Sequence, residues 1–365
     1  IFKLSYYDIL LYNNKLIMFQ SKIAGIGYYV PKNIYTNDDL TRFMDTSDEW
    51  IQERTGIKER RYADRIGETT TTMAVEASKI AIERSGVTAQ DIEFIVFATL
   101  SPDYYFPGCA VLLQREMGMG EIGALDIRNQ CSGFVYALSI ADQFVKTGMY
   151  KNVLVVGSEK HSFALDFSTR GRGVSVIFGD GAGAVVVQPT TEANKGILST
   201  HLHSDGADAE KLAMYYPGAS SGIWLEDQPE WPQQELGGLL MTPKMLEDGT
   251  AFPVMDGQAV FKKAVAKFPE VINEALTKNG FTTADIDLLI PHQANLRISQ
   301  FVQKTLRLSD DKVFNNIQKY GNTTAASVPI ALCEAWEAGK IKDGNIICLA
   351  AFGAGFTWVS ALIRW

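Results

Sequence analysis

Residues 85–103 read SGVTAQDIEFIVFATLSPD, and residues 279–296 read NGFTTADIDLLIPHQANL. Each stretch places a glycine after a helical pattern, followed by threonines, an acidic turn and a short apolar run. A second pair follows, GMYKNVLVVGSE at 148–159 and GKIKDGNIICLAAFG at 339–353. Gly86 and Gly280 lie 194 residues apart, and Asn152 and Asn345 lie 193 apart. Two similar pairs at nearly one spacing predict a duplicated chain.

The segments between these repeats alternate between helical and strand patterns. Residues 71–86 and 259–280 show helical periodicity and end in glycine. Short apolar runs typical of strands buried on both faces are FIVFATL (94–100), NVLVVGS (152–158), GAVVVQP (183–189), LLIPH (288–292) and NIICLAA (345–351). This alternation predicts βαβ units in mainly parallel sheets. We therefore predict an α/β protein of five layers built from two halves, at about 18–190 and 191–365, after an N-terminal extension at 1–17.

Two segments fall outside the repeat, at about 30–70 and 206–256. Insertions on a duplicated scaffold commonly shape a ligand entrance or a subunit contact. For the second segment a plain surface loop is an equally good interpretation, although Trp224 and Trp231 are unfavourable to leave in water.

Composition and charge argue against several classes of protein. The formal net charge is −8 and the pI is near 5.2, which disfavours nucleic-acid binding. No apolar run is long enough to span a membrane. The four cysteines (Cys109, Cys131, Cys333, Cys348) form no C-x-x-C pair, and the four histidines have no zinc-ligand spacing. We expect a cytoplasmic, reducing compartment, with no metal and no cofactor.

One cysteine, one histidine and one asparagine stand out through the duplication. The helical runs at 132–148 and 323–339 each end in glycine, and counting back 17 residues from those glycines reaches Cys131 and Asn322. His292 ends the strand LLIPH. Because ligand sites in such sheets lie at the carboxyl ends of strands, we expect these three side chains to meet.

Their chemistry suits acyl transfer. A helix N-terminus lowers the pKa of a thiol and offers N–H groups to an oxyanion. Histidine serves as base or donor, and asparagine can only form hydrogen bonds. Cys131, His292 and Asn322 together therefore indicate transfer through a thioester.

Each residue alone has a plainer interpretation. Cys131 could be buried packing, His292 a structural histidine and Asn322 a turn or cap. The other cysteines and His161, His201 and His203 are expected to be structural. The glycines of GIGYYV (25–30) and GDGAGA (179–184) are better explained by close backbone packing or tight turns than by nucleotide binding.

Six motifs together resemble the β-ketoacyl-acyl-carrier-protein synthase III family of the thiolase superfamily, from about Met18 to Trp365. They are DTSDEWIQERTGIKERR (45–61), QCSGF (130–134), VIFGDGAGA (176–184), PHQANLRI (291–298), YGNTTAASVPIAL (320–332) and AAFGAGFTW (350–358). The resemblance implies a thiolase-like α-β-α-β-α fold. The sequence departs from the family at Asn129, Gln130 and Ala354, where smaller residues are usual, and these departures bear on acyl preference.

The resemblance also implies a mechanism that initiates fatty-acid synthesis. Cys131 would take an acyl group from acyl-CoA, and His292 and Asn322 would hydrogen-bond the thioester carbonyl of malonyl-carrier protein as CO₂ leaves. The resulting carbanion would attack the acyl-Cys131 carbonyl. The Cys131 N–H and one from the loop Gly353, Ala354 and Gly355 would hold the oxyanion, with Phe352 and Phe356 beside them.

Binding residues follow from the same resemblance. Trp50 and Arg172 would sandwich the CoA adenine, while Arg54, Thr55 and Asn295 would bind near it. Phe106 would reach the pocket of a second subunit, which implies a homodimer. An acidic acyl carrier protein would suit a basic cluster that includes Lys262, Lys263, Arg297 and Lys304, with Lys267 and Arg307 nearby, although a solvated helix face is the plainer interpretation.

Three alternatives stay open at this point. The first is a related condensing enzyme that uses longer or β-keto acyl groups for a specialised lipid, polyketide or aromatic product. The second is a cysteine protease, since Cys, His and Asn occur in the papain order, but Cys131 is far from the N-terminus and the duplication has no place in that fold. The third is a non-catalytic binder of the carrier protein.

Overall fold

The structure, a computed structural model, describes residues 20–192, 194–215, 218 and 243–365. The strands are β1 (Gln20–Tyr29), β2 (Ile34–Thr36), β3 (Glu59–Arg61), β4 (Phe94–Ala98), β5 (Gly123–Ile127), β6 (Val153–Glu159), β7 (Gly181–Thr190), β8 (Gly196–Ser204), β9 (Leu212–Ala213), β10 (Val254–Met255), β11 (Leu288–Pro291), β12 (Ile346–Gly353) and β13 (Thr357–Arg364). The helices are α1 (Asn37–Leu40), α2 (Asp48–Thr55), α3 (Thr70–Ser85), α4 (Cys109–Glu116), α5 (Gly133–Lys146), α6 (Arg172–Ser175), α7 (Pro243–Asp248), α8 (Gly257–Lys278), α9 (Leu296–Leu306), α10 (Ile317–Tyr320) and α11 (Ser327–Glu337).

Two sheets carry the fold. The first has five strands in the order β1-β7-β6-β4-β5, and the second has four in the order β11-β12-β13-β8. Successive side chains of a strand point to opposite faces, so each sheet can bury both faces. On β4, Ile95 and Phe97 pack with α3 and α4 on the outside, whereas Val96 and Ala98 face inward. The first sheet therefore lies between two helical layers.

The second sheet repeats this arrangement. Cys348 and Ala350 of β12 pack outward against α8 and α9, whereas Ile347 and Leu349 face the middle of the molecule. The inward faces of both sheets enclose α5 and α11, which form one continuous buried core with them. The five predicted layers, α-β-α-β-α, are therefore present.

The expectation of mainly parallel sheets was wrong. Pairs β4–β5, β4–β6 and β11–β12 are parallel, but β1–β7, β6–β7, β12–β13 and β13–β8 are antiparallel. Neighbouring strands that follow each other in the chain are parallel when the connection crosses back to the end of the sheet where the first strand began, commonly through a helix. β12 instead turns into β13 through residues 354–356, and β7 pairs with β6 without such a crossover.

The glycines of GIGYYV (25–30) and GDGAGA (179–184) allow close packing of helix on sheet, as the sequence suggested. A Cβ on Gly25 of β1 would lie 2.0 Å from the Ala81 carbonyl oxygen of α3. A Cβ on Gly183 of β7 would lie 2.6 Å from the Cβ of Pro329 on α11. The helices therefore lie against the sheet only because these positions lack side chains.

The two segments outside the repeat differ in how much of them is described. Residues 30–70 contain β2, β3, α1 and α2 and bury a cluster with Leu165, Ile177 and Ile317. Of 206–256, the short pair β9–β10 and helix α7 are described. Trp224, Trp231 and the proposed extension at 1–17 lie outside the described residues. Among the described residues, no helix is both long and apolar enough to cross a bilayer.

Candidate active site

The nucleophile candidate Cys131 lies where β5 leads into the middle-layer helix α5. It is in a short 3₁₀ turn, Gln130–Ser132, and is 8% exposed. Gln130 has a φ of 41°, in the left-handed region that non-glycine residues rarely adopt. A Cβ on Gly353 would lie 2.8 Å from the Cys131 Cβ, so the missing side chain brings the end of β12 against the thiol. Backbone strain and close approach together fix the cysteine in place.

The expected correspondence of Cys131 with Asn322 is wrong in register by three residues. Gln130 (φ 41°) and Thr324 (φ 49°) each open a 3₁₀ turn that leads into α5 and α11, respectively. By this matching, Ala325 occupies the place of Cys131. Counting back from the C-terminal glycines failed because α11 has 11 residues and α5 has 14. Asn322 nevertheless lies one turn before α11, beside the site.

The thiol is not a preformed thiolate. Burial raises the pKa of Cys131 to about 12, and the Glu159 carboxylate acts in the same direction. Hydrogen bonds from the Thr324 side chain and from the N–H groups of Cys131 and Ala354 act in the opposite direction. The sequence argument considered the helix end but not the depth of burial, which dominates here. Loading the thiol therefore requires a group that accepts its proton.

The same two N–H groups form the candidate oxyanion hole. The backbone N–H groups of Cys131 and Ala354 both lower the pKa of the thiol, which places them near the sulfur that would attack a carbonyl. Phe352 and Phe356 are buried with ring centroids 5.0 Å apart and pack with the outer core. Of the predicted loop, Gly353 and Ala354 therefore lie closest to the chemistry.

His292 follows β11 and is oriented by a buried serine. Its Nδ1 lies 2.6 Å from the Ser327 Oγ, and that oxygen also accepts the Gln293 N–H at 3.4 Å. We assign the tautomer in which the Ser327 hydroxyl donates to Nδ1, so that the ring proton is on Nε2. Within the described part of the chain, the buried Nε2 has no hydrogen-bond partner. Burial lowers the pKa of His292 to about 3, so a neutral Nε2–H is available to a ligand.

Asn322 is held by its backbone and its side-chain oxygen. Its N–H donates to the Ile177 carbonyl at 2.8 Å, and its carbonyl accepts the Gly179 N–H at 3.0 Å. The Oδ1 accepts the Thr324 N–H at 2.8 Å. The side-chain oxygen is therefore occupied, and the Nδ2 is the group left to donate to a ligand.

Arg60 was missed in the sequence and supports Asn322 from behind. Its guanidinium is buried and donates to the carbonyls of Tyr35 at 3.1 Å and Val176 at 2.9 Å. Val176 begins the segment whose Ile177 and Gly179 hydrogen-bond Asn322. The repeat gave no signal for this residue because it lies in the 30–70 segment outside the duplication.

His161 was predicted to be structural, yet it lies within the site. It follows β6 by two residues, and its Nε2 lies 2.6 Å from the Thr324 Oγ1. Glu159, the last residue of β6, is fully buried and accepts hydrogen bonds from Ser101 and Leu100. Their position at the carboxyl end of a strand was the available sequence signal.

The predicted CoA residues separate into two groups. Two guanidinium groups lie over the Trp50 ring, with the Cζ atoms of Arg54 and Arg172 at 4.5 and 4.9 Å from its centroid. Thr55 and Asn295 are already engaged: the Thr55 hydroxyl donates to Ile51, and the Asn295 amide donates to Arg54 and caps α9. These contacts stabilise the local fold. Arg54 and Arg172 also have partners, since Arg54 pairs with Glu53 and Arg172 pairs with Asp45.

Part of the 206–256 segment lines a cleft near this aromatic group. The cleft has a volume of about 410 Å³ and lies between residues 165–175 and 248–255. Met255 joins the cleft to the cluster that contains Trp50 and Leu296. A larger, open depression of about 840 Å³ lies beside edge strand β5, around Glu93 and Tyr150, and contains none of the candidate site residues.

The remaining predicted contact residues lie on the surface. Lys262, Arg297 and Lys304 are exposed on α8 and α9, while Lys263 is ion-paired with Asp205 and Asp208. Phe106 is 80% exposed on the loop after β4. Neither group contacts Cys131 directly. Among the described residues, no cluster of histidine, cysteine, aspartate or glutamate has an arrangement that could hold a metal ion.

Comparison with known proteins identifies the family. The profiles of 3-oxoacyl-[acyl-carrier-protein] synthase III and of its C-terminal part match residues 125–206 and 276–365. The β-ketoacyl-[acyl-carrier-protein] synthase III of Caldanaerobacter subterraneus subsp. tengcongensis is 46% identical over 94% of this chain and 97% of its own length. The chain belongs to the β-ketoacyl-[acyl-carrier-protein] synthase III family.

Other members of the synthase III family agree. The Rhodospirillum centenum protein is 44% identical over 95% of this chain and 99% of its own. The crystal structure of the Aquifex aeolicus enzyme superposes with a TM-score of 0.82 at 43% identity, covering 94% of this chain and 100% of that one. The chain is therefore a thiolase-fold enzyme of this family, and the cysteine-protease alternative is excluded.

Proposed function

We propose that this protein catalyses the decarboxylative condensation of an acyl-CoA with malonyl-acyl-carrier protein and so initiates fatty-acid synthesis. One observation carries the proposal. The N–H groups of Cys131 and Ala354 and the Thr324 side chain all act on the buried thiol, and the Thr324 N–H donates to the Asn322 Oδ1. The buried His292 Nε2 has no hydrogen-bond partner among the described residues. This set supplies a nucleophile, an oxyanion hole and two donors for an enolate.

In the first step Cys131 is acylated. Its sulfur attacks the thioester carbonyl of acyl-CoA, and the N–H groups of Cys131 and Ala354 stabilise the oxyanion. Collapse forms the Cys131 thioester and expels the CoA thiolate, which takes up the proton lost by the cysteine. The low exposure of the thiol excludes most water, which protects the intermediate from hydrolysis.

In the second step malonyl-carrier protein loses CO₂. The electron pair of the broken C–C bond passes into the enolate of the remaining thioester. The His292 Nε2–H and the Asn322 Nδ2–H donate to that enolate oxygen, and neither group carries a negative charge that would oppose it. The donors act on charge that develops in the transition state, so they raise the rate rather than only the binding.

In the third step the carbanion attacks the acyl-Cys131 carbonyl. The same two N–H groups hold the tetrahedral oxyanion, and its collapse expels the Cys131 sulfur and leaves a β-ketoacyl group on the carrier protein. Every step uses side chains and backbone groups of this chain, and we propose no resident cofactor or metal.

The surface supports the proposed substrates. The Trp50 ring would stack on the adenine of CoA. The neighbouring guanidinium groups of Arg54 and Arg172 carry positive charge that would attract its phosphates. The exposed cations of α8 and α9, Lys262, Arg297 and Lys304, suit an acidic carrier protein.

Assembly as a homodimer and a cytoplasmic location are also part of the proposal. β5 forms an exposed edge of the first sheet, and Leu125 on it is exposed. Tyr104, Tyr105 and Phe106 form an exposed apolar group on the loop after β4. A second copy that covers both would remove an exposed edge and an apolar patch. All four cysteines are free, which suits a reducing compartment.

The substrate proposal is tested by loading purified protein with acyl-CoAs of increasing chain length and measuring the mass added to the Cys131 peptide. We expect short acyl groups to load and C131A to remain unlabelled. Exclusive loading by long or β-keto acyl groups would overturn the assignment to chain initiation in favour of a specialised condensing enzyme. Product formation by C131A would remove the nucleophile from the mechanism.

A further inference from the structure

Two buried hydroxyl groups connect the turn of the nucleophile to the loop that carries the second oxyanion donor. Ser132 follows Cys131 directly, and its Oγ lies 2.5 Å from the Oγ1 of Thr357, the first residue of β13. Ser132 is 0% and Thr357 is 8% exposed, so little water competes for this contact. The two residues are 225 positions apart in the chain, so the contact joins the two halves of the molecule.

Each of the two hydroxyl groups also faces a backbone carbonyl. The Ser132 Oγ lies 3.1 Å from the Asn129 carbonyl oxygen, and the Thr357 Oγ1 lies 3.2 Å from the Ala354 carbonyl oxygen. A hydroxyl has one proton to donate, so two protons serve these three contacts. Two oxygens at 2.5 Å need a proton between them, so either Ser132 donates to Thr357 and Thr357 to Ala354, or Thr357 donates to Ser132 and Ser132 to Asn129. The bond between the two hydroxyls is formed in both arrangements.

The peptide between Gly353 and Ala354, whose N–H is the second donor, is held on two sides. On one side, a Cβ on Gly353 would lie 3.0 Å from the Cys131 nitrogen, so the loop backbone closely approaches the first donor. On the other side, the Thr357 hydroxyl reaches the Ala354 carbonyl oxygen. Thr357 is also the residue that pairs with Gly353 across the β12–β13 turn. The position of the Ala354 N–H therefore depends on Thr357.

The distance between the two N–H groups matters because both must point at the same oxygen. Donors in an oxyanion hole act at about 2.7–3.1 Å from the place that the oxyanion will occupy. A displacement of about 1 Å can lower a rate by about 10²-fold. The Cys131 N–H belongs to the turn before α5, whereas the Ala354 N–H belongs to a loop from the other half of the molecule. A bond between these two segments is thus a means of fixing the hole.

We propose that the Ser132–Thr357 hydroxyl pair fixes the Ala354 N–H relative to the Cys131 N–H and so aligns the oxyanion hole. Both residues are positioning residues, because they act through backbone N–H groups. Thr357 has the larger effect, since it contacts both Ser132 and the Ala354 carbonyl, and in the absence of the Ser132 hydroxyl its proton still reaches Ala354. The inference rests on the proposed function for the place of this hole in loading and condensation.

The reactions of Cys131 differ in whether they need the oxyanion hole. An oxyanion forms at the acyl carbonyl when Cys131 is acylated and again in the condensation step. Decarboxylation instead develops charge on the malonyl thioester oxygen, beside His292 and Asn322. Alkylation of the thiol by iodoacetamide forms no oxyanion, because the sulfur attacks a tetrahedral carbon. A positioning role slows acylation and condensation alone, whereas general damage to the fold slows all four reactions.

The experiment compares wild type with T357V, T357S, S132A and the double variant S132A/T357V. Valine keeps the shape of threonine without its hydroxyl, and serine restores the hydroxyl. The controls S139A and T200V each disrupt a second Ser–Thr pair, which joins α5 to β8 with its oxygens 2.7 Å apart. The measurements are acetylation of Cys131 by acetyl-CoA and by p-nitrophenyl acetate, alkylation by iodoacetamide, and CO₂ release from malonyl-carrier protein.

We expect T357V to be acetylated about 10- to 100-fold more slowly by either donor, with alkylation and CO₂ release within a few-fold of wild type. S132A should lose less than T357V, and the double variant should lose no more than T357V, because the two hydroxyls act as one unit. T357S, S139A and T200V should remain within a few-fold of wild type in all four measurements.

The proposal is overturned if T357V is acetylated at the wild-type rate, if its alkylation falls as much as its acetylation, or if T357S fails to restore acetylation. A wild-type enzyme that reacts with p-nitrophenyl acetate but not with acetyl-CoA would contradict the proposed function, and the ester rates would then decide the role of the pair. If T357V does not fold, the ratio of acetylation to alkylation in T357A decides in its place.

Discussion

Removal of the Ser327 hydroxyl tests how His292 is prepared for decarboxylation. In S327A the buried Nδ1 loses the hydrogen bond that measures 2.6 Å in the structure. The ring is then free to carry its proton on Nδ1, and Nε2 becomes an acceptor that repels the enolate. An unsatisfied buried polar atom costs about 1–3 kcal/mol, which corresponds to a rate loss of about 5- to 150-fold.

This loss should fall on one half-reaction only. CO₂ release from malonyl-carrier protein measures decarboxylation, and the mass added to Cys131 by acyl-CoA measures loading. We expect S327A to slow the first within that range and to leave the second unchanged, because Ser327 forms no hydrogen bond with Cys131. S299A is the matched control, since it removes a buried hydroxyl bonded to Asn315 Oδ1 at 2.7 Å, outside the site. Equal loss in both half-reactions, or the same loss in S299A, would refute the assigned role.

Three further predictions concern charge and packing. N322D should load normally but lose about 10²–10³-fold in CO₂ release, because a carboxylate repels the enolate where an amide donates to it; parallel loss of loading would contradict the division of roles. G25A should lower the melting temperature, because its Cβ would lie 2.0 Å from the Ala81 oxygen and overpacking costs about 1–3 kcal/mol of folding free energy. G206A is the control and should leave the melting temperature unchanged, since open space surrounds that position. Burial raises the pKa of Glu159 from 4.5 to about 7, so between these pH values the folded state holds a proton that the unfolded chain releases. The free energy of unfolding measured in urea should therefore fall as the pH rises through this range. An equally steep fall in E159Q would show that another group is responsible.

The repeat was the strongest sequence signal because each half must bury the same faces. Segments that began at Ser85 and Asn279 became equivalent helix–strand units, and the ends of β6 and β12 met at the site. The parallel-sheet prediction failed where the chain turns back directly, as at β12–β13, because strand periodicity carries no information on direction.

Within the site, the sequence predicted which residue types take part more readily than how deeply they are buried or which positions correspond between the two halves. Asn322 was reached by counting from a helix end, and the count failed by one helical turn because α11 is shorter than α5. The raised pKa of Cys131 reflects burial that forms only when both sheets close over α5. His161 has no partner in the other half, so the duplication gave it no weight. Thr55 donates its hydroxyl to Ile51 within its own helix, and its contact with CoA stays a prediction.

The central claim is that Cys131 carries an acyl group that malonyl-carrier protein then removes. A single-turnover experiment tests it directly: the enzyme is loaded with acetyl-CoA, freed of excess, mixed with malonyl-acyl-carrier protein and followed by mass spectrometry. We predict that the acetyl mass on the Cys131 peptide disappears at the rate at which CO₂ is released and the β-ketoacyl carrier protein appears. An acetyl group on another residue, or one that stays on Cys131 while product accumulates, would contradict the mechanism.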